Sequence, residues 1–272
     1  MLDKVLDLYG FIFSRRMFIN FNKLLLNFGL RGLGILNYKN LRSSGEQNFL
    51  SNILDEDGLT VFDVGAYTGE YSKCAKQMNP TTKVYAFEPH PKTHLRLQEN
   101  AQHCLFKAFN FGFGERAGTQ KLYDYANNDG SSHASLCRDV IRKIHKSEEA
   151  THDVFIETLD DFVGKENIKM IDLLKIDAEG NELKVLLGAK RMLREGKIHV
   201  IQFEFSQLNI MEKNSFLNFC ELLSEYKIFR ILKKGLMELE PYNPMYCEIY
   251  LFQNVVAVHK KCLDDFIRTK VR

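Results

Sequence analysis

Residues 61–72, VFDVGAYTGEYS, place a carboxylate at the end of an apolar run, then two glycines four apart, then the opening of a helical pattern. LTVFDVG (59–65) reads as a strand, and TGEYSKCAKQMNP (68–80) as a helix stopped by Pro80. Gly65 and Gly69 suit a turn that bends tightly and lets a ligand approach the backbone. In open α/β sheets such a turn lies outside the carboxyl ends of the strands, where a helix N-terminus offers free N–H groups. Glycine between strand and helix often serves the turn alone, so the flanking sequence has to decide what this one holds.

On either side of this turn strands and helices alternate, the pattern of a mostly parallel, doubly wound α/β sheet covered on both faces. SSGEQNFLSNIL (43–54) reads as a lead-in helix, with Ser44 and Gln47 spaced as a capping box and Gly58 beyond its end. KVYAFE (83–88) is a second strand, PKTHLRLQENA (91–101) a helix with Pro91 in its first turn, and CLFKAF (104–109) a third strand. Regularity weakens over 110–168, where QKLYDYA and DVFIETL read as strands around the polar loop NNDGSSHAS; this segment is expected to be an insertion or substrate-side flap. Alternation resumes with MIDLLKID, a helix NELKVLLGAKRML, the strand IHVIQFEF, a helix SFLNFCELLSEY, and terminal strands in KIFRIL and CEIYLFQNVVAVH.

The expected organisation is an N-terminal helical arm with the lead-in helix over 1–57, followed by one ligand-binding domain over 58–272. In the arm, Lys4, Arg15, Arg16, Lys23 and Arg31 interrupt each apolar run before the roughly 18 residues that a membrane span requires. The arm is therefore read as a helix packed over the domain's own core, the alternative being peripheral contact with a membrane surface. The 37 basic and 35 acidic side chains nearly cancel, which disfavours a nucleic-acid partner. Six scattered cysteines form neither a zinc pattern nor a disulfide framework and fit a reducing cytoplasm. The oligomeric state is not specified by the sequence.

The second strand ends in Glu88, 25 residues after Asp63, where an acid accepts hydrogen bonds from both hydroxyls of a ribose. That spacing serves a nicotinamide cofactor and other adenosine-bearing cofactors alike. The turn itself reads Gly-x-x-x-Gly, without the Gly-x-Gly-x-x-Gly that seats a pyrophosphate, and the chain has no Tyr-x-x-x-Lys.

VFDVGAYTGEYS, VYAFEPHP, ETLDDFV and IDLLKIDAEGNELKVLLGA together resemble the FkbM-type S-adenosylmethionine-dependent methyltransferases, and SSHASL resembles a serine-containing segment found there. The resemblance runs from about Val61 to Leu193. It implies a Rossmann-like, seven-stranded sheet whose last strand is antiparallel, O-methylation as the usual reaction, and sugars or sugar-bearing natural products as frequent acceptors. It also implies Asp63, Gly65, Ala66, Thr68 and Gly69 around the amino acid portion of S-adenosylmethionine, and Glu88 with Pro89 at its ribose. Tyr67 and Phe113 depart from the small or polar residues expected there and are read as flanking the cofactor or packing.

A sugar hydroxyl gives up its proton reluctantly, so a carboxylate or imidazole within reach should act as general base. KIDAEG (175–180) is the first place to look: Asp177 follows an apolar strand and Glu179 sits near the next helix start, with cap duty as the competing reading of both. Lys175 points to the same side as Asp177 and is expected to hold a carboxylate. Glu204 is a charge within an apolar strand, a second base candidate, and His133 is a loop histidine read as a base or as an idle exposed group. His90 and His94 lack an evident third metal ligand and are read as a solvated face; no metal site is assigned, and dependence on a divalent ion is left open. NPMY (243–246) falls in the wrong place for an amine-methylating motif, and Asp161 is spaced from Thr158 as a cap.

The expected function is a cytoplasmic S-adenosylmethionine-dependent O-methyltransferase acting on a sugar hydroxyl of a glycan, nucleotide sugar or glycolipid precursor. The alternatives are a nicotinamide-dependent enzyme on a nucleotide sugar and a noncatalytic module that kept the fold.

Overall fold

The computed structural model describes residues 1–270. Eleven strands are present among them: β1 (Thr60–Val64), β2 (Lys83–Phe87), β3 (Lys107–Phe109), β4 (Gly112–Phe113), β5 (Gly118–Tyr125), β6 (Glu149–Glu157), β7 (Ile171–Ile176), β8 (Ile198–Phe205), β9 (Tyr226–Ile231), β10 (Leu236–Glu238) and β11 (Gln253–His259). Eight form the main sheet in the order β10-β9-β11-β8-β7-β1-β2-β3. The pairs of β1 with β2 and β7, of β2 with β3, and of β7 with β8 are parallel, while β11 runs antiparallel between β8 and β9. The sheet is thus the expected mostly parallel one with an antiparallel last strand. The short β10 adds an eighth strand at the edge.

Alternation along each strand divides the core. Phe62, Val64, Leu174, Ile176, Ile201 and Phe203 enter one cluster, and Val61, Leu173, Val84, Ala86 and Val200 enter the other. On the first face Phe62, Phe87, Phe109, Phe111, Phe113 and Phe162 pack together, Phe87 lying nearly parallel to Phe109, edge-on to Phe162 and tilted on Phe113 at 4.6 Å between ring centres. On the second face the register sets Asp63 opposite Lys175 and Lys175 opposite Gln202, a polar row across three central strands.

The 110–168 segment builds a separate three-stranded sheet, β4-β6-β5, in which β5 and β6 are the two expected strands. Several elements differ locally from the sequence pattern. Ser44 and Gln47 form no capping box: the lead-in helix Glu46–Ile53 starts at Gly45, and the box belongs to Asn40 and Ser43 one short helix earlier. NELKVLLGAKRML is two helices, Glu182–Leu187 and Lys190–Arg194, parted at Gly188, where the backbone of Gly114 approaches so closely that a β-carbon would meet its carbonyl oxygen at 2.1 Å. CEIYLF (247–252) is not strand, and a helix Leu263–Lys270 follows β11.

The arm is also not packed over the core. Its helices Leu2–Phe13 and Ile19–Gly32 contain no buried residue, and none of their side chains joins a core cluster. They meet each other instead, Phe13 packing on Phe21 and on Phe18 of the turn between them, and the Tyr9 hydroxyl donating to the Asn22 side chain. No helix among the described residues is long and apolar enough to cross a membrane.

Gly65 shows how tightly the first turn is built. Its φ is +75°, and a β-carbon there would lie 1.7 Å from the Asp177 carbonyl oxygen. Gly65→Ala is expected to destabilise the fold by at least about 2 kcal/mol, read as a melting point lower by several degrees in thermal unfolding.

Candidate active site

A cavity of about 710 Å³ opens along the carboxyl ends of β1, β2, β7 and β8, a volume that suits a ligand of drug or cofactor size. Its wall includes Gly65, Ala66 and Tyr67 from the first turn, Glu88 and Pro89 after β2, Phe113 from β4, His133 from the polar loop, Lys175, Asp177 and Glu179 after β7, and Glu204 from β8. Asp63, Thr68 and Gly69 do not reach that wall. Asp63 is fully buried behind it, accepting a hydrogen bond from the Ser72 hydroxyl at 2.7 Å and standing 3.7 Å from the Lys175 ammonium. Gly69, with φ of +86°, starts the helix Glu70–Met78.

The turn is fastened before any ligand arrives. The amides of Gly65 and Ala66 donate to the Phe87 carbonyl, each at 3.0 Å. Glu88 accepts from the Tyr67 amide at 2.9 Å on one carboxylate oxygen and from the His90 amide at 2.8 Å on the other. Each oxygen keeps a lone pair for a further donor. Burial raises the Glu88 carboxyl to about 7 against the pull of those two amides. A buried acid with open acceptor sites at the cavity wall fits a diol that brings two donors, as a ribose does.

On β7 and β8 the acids fall into two kinds. Asp177 accepts from Lys175 Nζ at 3.1 Å and its amide donates to the Val64 carbonyl, so its carboxylate is paired and its backbone is tied to β1. Despite burial, Asp177, Asp63 and Glu46 together raise the Lys175 ammonium above its usual range, which keeps it charged. Glu179 and Glu204 have no cation within ion-pair distance among the described residues. Burial raises both carboxyls well above the carboxylate range, and Glu204 and Asp177 raise Glu179 further. Neither Asp177 nor Glu179 caps the following helix. Glu182, the first residue of that helix, accepts instead from the Ala178 and Gly180 amides of the preceding loop, both at 3.0 Å.

Glu179 itself sits in the loop with φ of +49°, its carbonyl accepting from the Ser135 hydroxyl at 2.7 Å. This joins the SSHASL loop to the acid cluster. His133, at the exposed rim, lies 3.0 Å from the Tyr125 hydroxyl and stacks on His145 at 4.8 Å.

The histidines of the second helix do not form a solvated face. His90 is fully buried at the helix start, with its Nε2 3.0 Å from Asp129 and 3.4 Å from Asp124, and His152 is 2.7 Å from the same Asp129 oxygen. His94 is not part of that group. His90 Nδ1 accepts from the Lys92 amide at 3.2 Å, so Nε2 carries the proton and donates it to Asp129. With the Lys92 ammonium 2.6 Å from Asp129, the group is a hydrogen-bonded clasp that ties the polar loop to the helix.

Sequence reasoning missed a second tier. Tyr71, lining the cavity, donates to Gln202 at 2.8 Å, Gln202 donates to Glu46 at 2.7 Å, and Lys175 Nζ lies 5.4 Å from the centre of the Tyr71 ring. Gln202 offered a signal, as a buried amide in an apolar strand two residues before Glu204. Glu46, which enters from the lead-in helix, offered none.

Comparison with known proteins fits this geometry. "Methyltransferase 1" of Beauveria bassiana is 30% identical over 146 residues, covering 48% of this chain and 59% of that protein. The "2-O-methyltransferase NoeI" of Sinorhizobium fredii is 26% identical over 170 residues, covering 59% of this chain and 69% of that protein. The "Hexuronic acid methyltransferase AglP" of Haloferax volcanii is 24% identical over 161 residues, covering 58% of this chain and 62% of that protein. The chain thus spans less than two thirds of the length of the first and third of these relatives. Residues 63–230, more than half of the chain and the part that carries the cavity's acids, match the family described as "Methyltransferase FkbM domain", and the chain belongs to that family.

Proposed function

We propose that the protein is a cytoplasmic, S-adenosylmethionine-dependent O-methyltransferase whose acceptor is a sugar hydroxyl. The observation that carries this reading is a set of three acids with opposite roles along one edge of the sheet: Glu88 after β2, with open acceptor sites for a ribose, and, across β1 from it, the Glu179–Glu204 couple at β7 and β8, which lacks a cation among the described residues. NoeI and AglP, by their names a 2-O- and a hexuronic acid methyltransferase, support a sugar acceptor. Six free cysteines and a near-neutral charge agree with a cytoplasmic enzyme acting on something other than nucleic acid. Membership of a methyltransferase family displaces the nicotinamide alternative, and the retained acid pair argues against a noncatalytic module.

S-adenosylmethionine supplies an activated methyl group, so the chain's task is to align the acceptor oxygen and take its proton. In this reading Glu88 binds the ribose, Tyr67, Pro89 and Phe113 flank the cofactor, and the Gly65–Tyr67 turn holds its amino acid end. Asp177, neutralised by Lys175, positions the loop, while the Glu179–Glu204 couple shares one proton and its ionised member accepts the one leaving the hydroxyl.

One consequence is pH-dependent binding. Ribose hydroxyls donate to the ionised Glu88, so binding favours the carboxylate of a group raised to about 7. Affinity for S-adenosylhomocysteine is expected to tighten about tenfold between pH 6 and pH 8, measured by calorimetry, and Glu88→Gln should flatten the profile. The function itself is tested by transfer of labelled methyl from S-adenosylmethionine to a panel of glycans and nucleotide sugars. Alkali-stable label on a sugar oxygen supports the reading, and label on a nitrogen or carbon, or none in the presence of bound cofactor, rejects it.

A further inference from the structure

Fifteen of the 26 exposed large apolar side chains among the described residues lie between Met1 and Phe28, in the hairpin of the two arm helices. Leu2, Leu8, Phe11, Leu26 and Phe28 are each more than half exposed. At 12 and 14 residues, these helices are too short to cross a bilayer, which calls for about 20 residues. The hairpin carries five basic side chains, Lys4, Arg15, Arg16, Lys23 and Arg31, against two acidic ones, Asp3 and Asp7. All five are exposed, and none has an ion-pair partner among the described residues.

The exit of the hairpin is fixed. Ile35 is fully buried and bridges Gln253, the Leu36 amide donates to the Phe252 carbonyl at 2.8 Å, and the buried Arg230 reaches the Leu33 carbonyl at 3.4 Å. The next residues line the mouth of the cavity: Leu36, Tyr38 and Leu41, together with Phe252. The exposed apolar hairpin and the opening of the site are therefore joined by a stitched segment of a few residues.

We propose that this hairpin docks the enzyme on an anionic lipid surface, lying in the headgroup region with its apolar side chains inserted and its basic ones on lipid phosphates, and that the cavity mouth then faces the membrane. An apolar surface flanked by unpaired cations is complementary to anionic lipid, whereas two such hairpins meeting each other would bring like charges together. Resting on the sugar reading above, the acceptor class that follows is a lipid-linked glycan.

The chain contains no tryptophan, so Phe28→Trp and Tyr38→Trp, made separately, each install a single fluorescent reporter, the first in the hairpin and the second at the mouth. With vesicles of phosphatidylglycerol and phosphatidylcholine, the expected result is a blue shift and quenching by brominated lipid for both reporters. Pure phosphatidylcholine or high salt should abolish both changes. Arg15→Glu with Arg16→Glu should weaken vesicle binding at least about tenfold, and Phe11→Asp should do the same. The thermal shift produced by S-adenosylhomocysteine should stay as in the unaltered chain, since none of those three residues lines the cavity. Absence of quenching of the hairpin reporter overturns the proposal, as does a dimer in light scattering that Phe11→Asp converts to monomer. Quenching of the hairpin reporter without quenching of the mouth reporter overturns the orientation. Because these readouts need no methyl transfer, they fail independently of the proposed function.

Discussion

Glu88→Ala is expected to weaken S-adenosylhomocysteine binding at least about 100-fold while the chain still folds. Two hydrogen bonds from ribose hydroxyls to an ionised carboxylate, at about 1.5–3 kcal/mol each, account for that loss. The fold tolerates the change because the carboxyl is buried at a cost, as its rise to about 7 records, and lifting that cost offsets the acceptor lost to the Tyr67 and His90 amides, which the enlarged cavity opens to water. Calorimetric titration gives the affinity and far-ultraviolet circular dichroism checks the fold. Unchanged affinity in a folded variant would remove Glu88 from the cofactor site.

The second large effect concerns the acid couple. Replacing both Glu179 and Glu204 by glutamine is expected to lower kcat by about 10²- to 10⁴-fold with cofactor affinity retained, the usual worth of a positioned base. Each single variant should act differently. Glu204 raises the Glu179 carboxyl by proximity, so Glu204→Gln lowers it and moves the acidic limb of the pH–rate profile to lower pH. Stability should move oppositely to activity. A carboxyl raised in the folded chain is favoured when protonated, so stability is lost as pH climbs from the unfolded value through the folded one. Glu204→Gln removes that loss, and the variant should melt about 2–4 °C higher at pH 8 for each kcal/mol relieved. A double variant with full turnover would exclude both acids as bases, and Asp177→Asn would then become the substitution to examine.

How far the sequence reaches is visible in particular residues. The first turn, Glu88 and the acids after β7 are legible because each lies within one strand–turn–helix unit, where glycine spacing, period and strand ends are local signals. The mostly parallel sheet follows from alternation and its antiparallel last strand from the family resemblance, whereas the place of β11 between β8 and β9 has no local signal. What fails is long-range or marginal. Gln202 meets Glu46 across 156 positions, and His90 meets Asp129 across 39, contacts that no spacing rule encodes. The Ser44 cap loses to a glycine start, and one helix becomes two where Gly188 lies against the backbone of Gly114. The arm escapes the sequence because an amphipathic pattern states that a face needs cover without stating what covers it.

The most direct measurement is a crystal structure after soaking with S-adenosylhomocysteine. The ligand is expected along the ends of β1 and β2, its ribose hydroxyls within hydrogen-bond distance of Glu88 and its sulfur facing Glu179 and Glu204. A ligand bound elsewhere, or a ribose turned away from Glu88, would contradict this assignment.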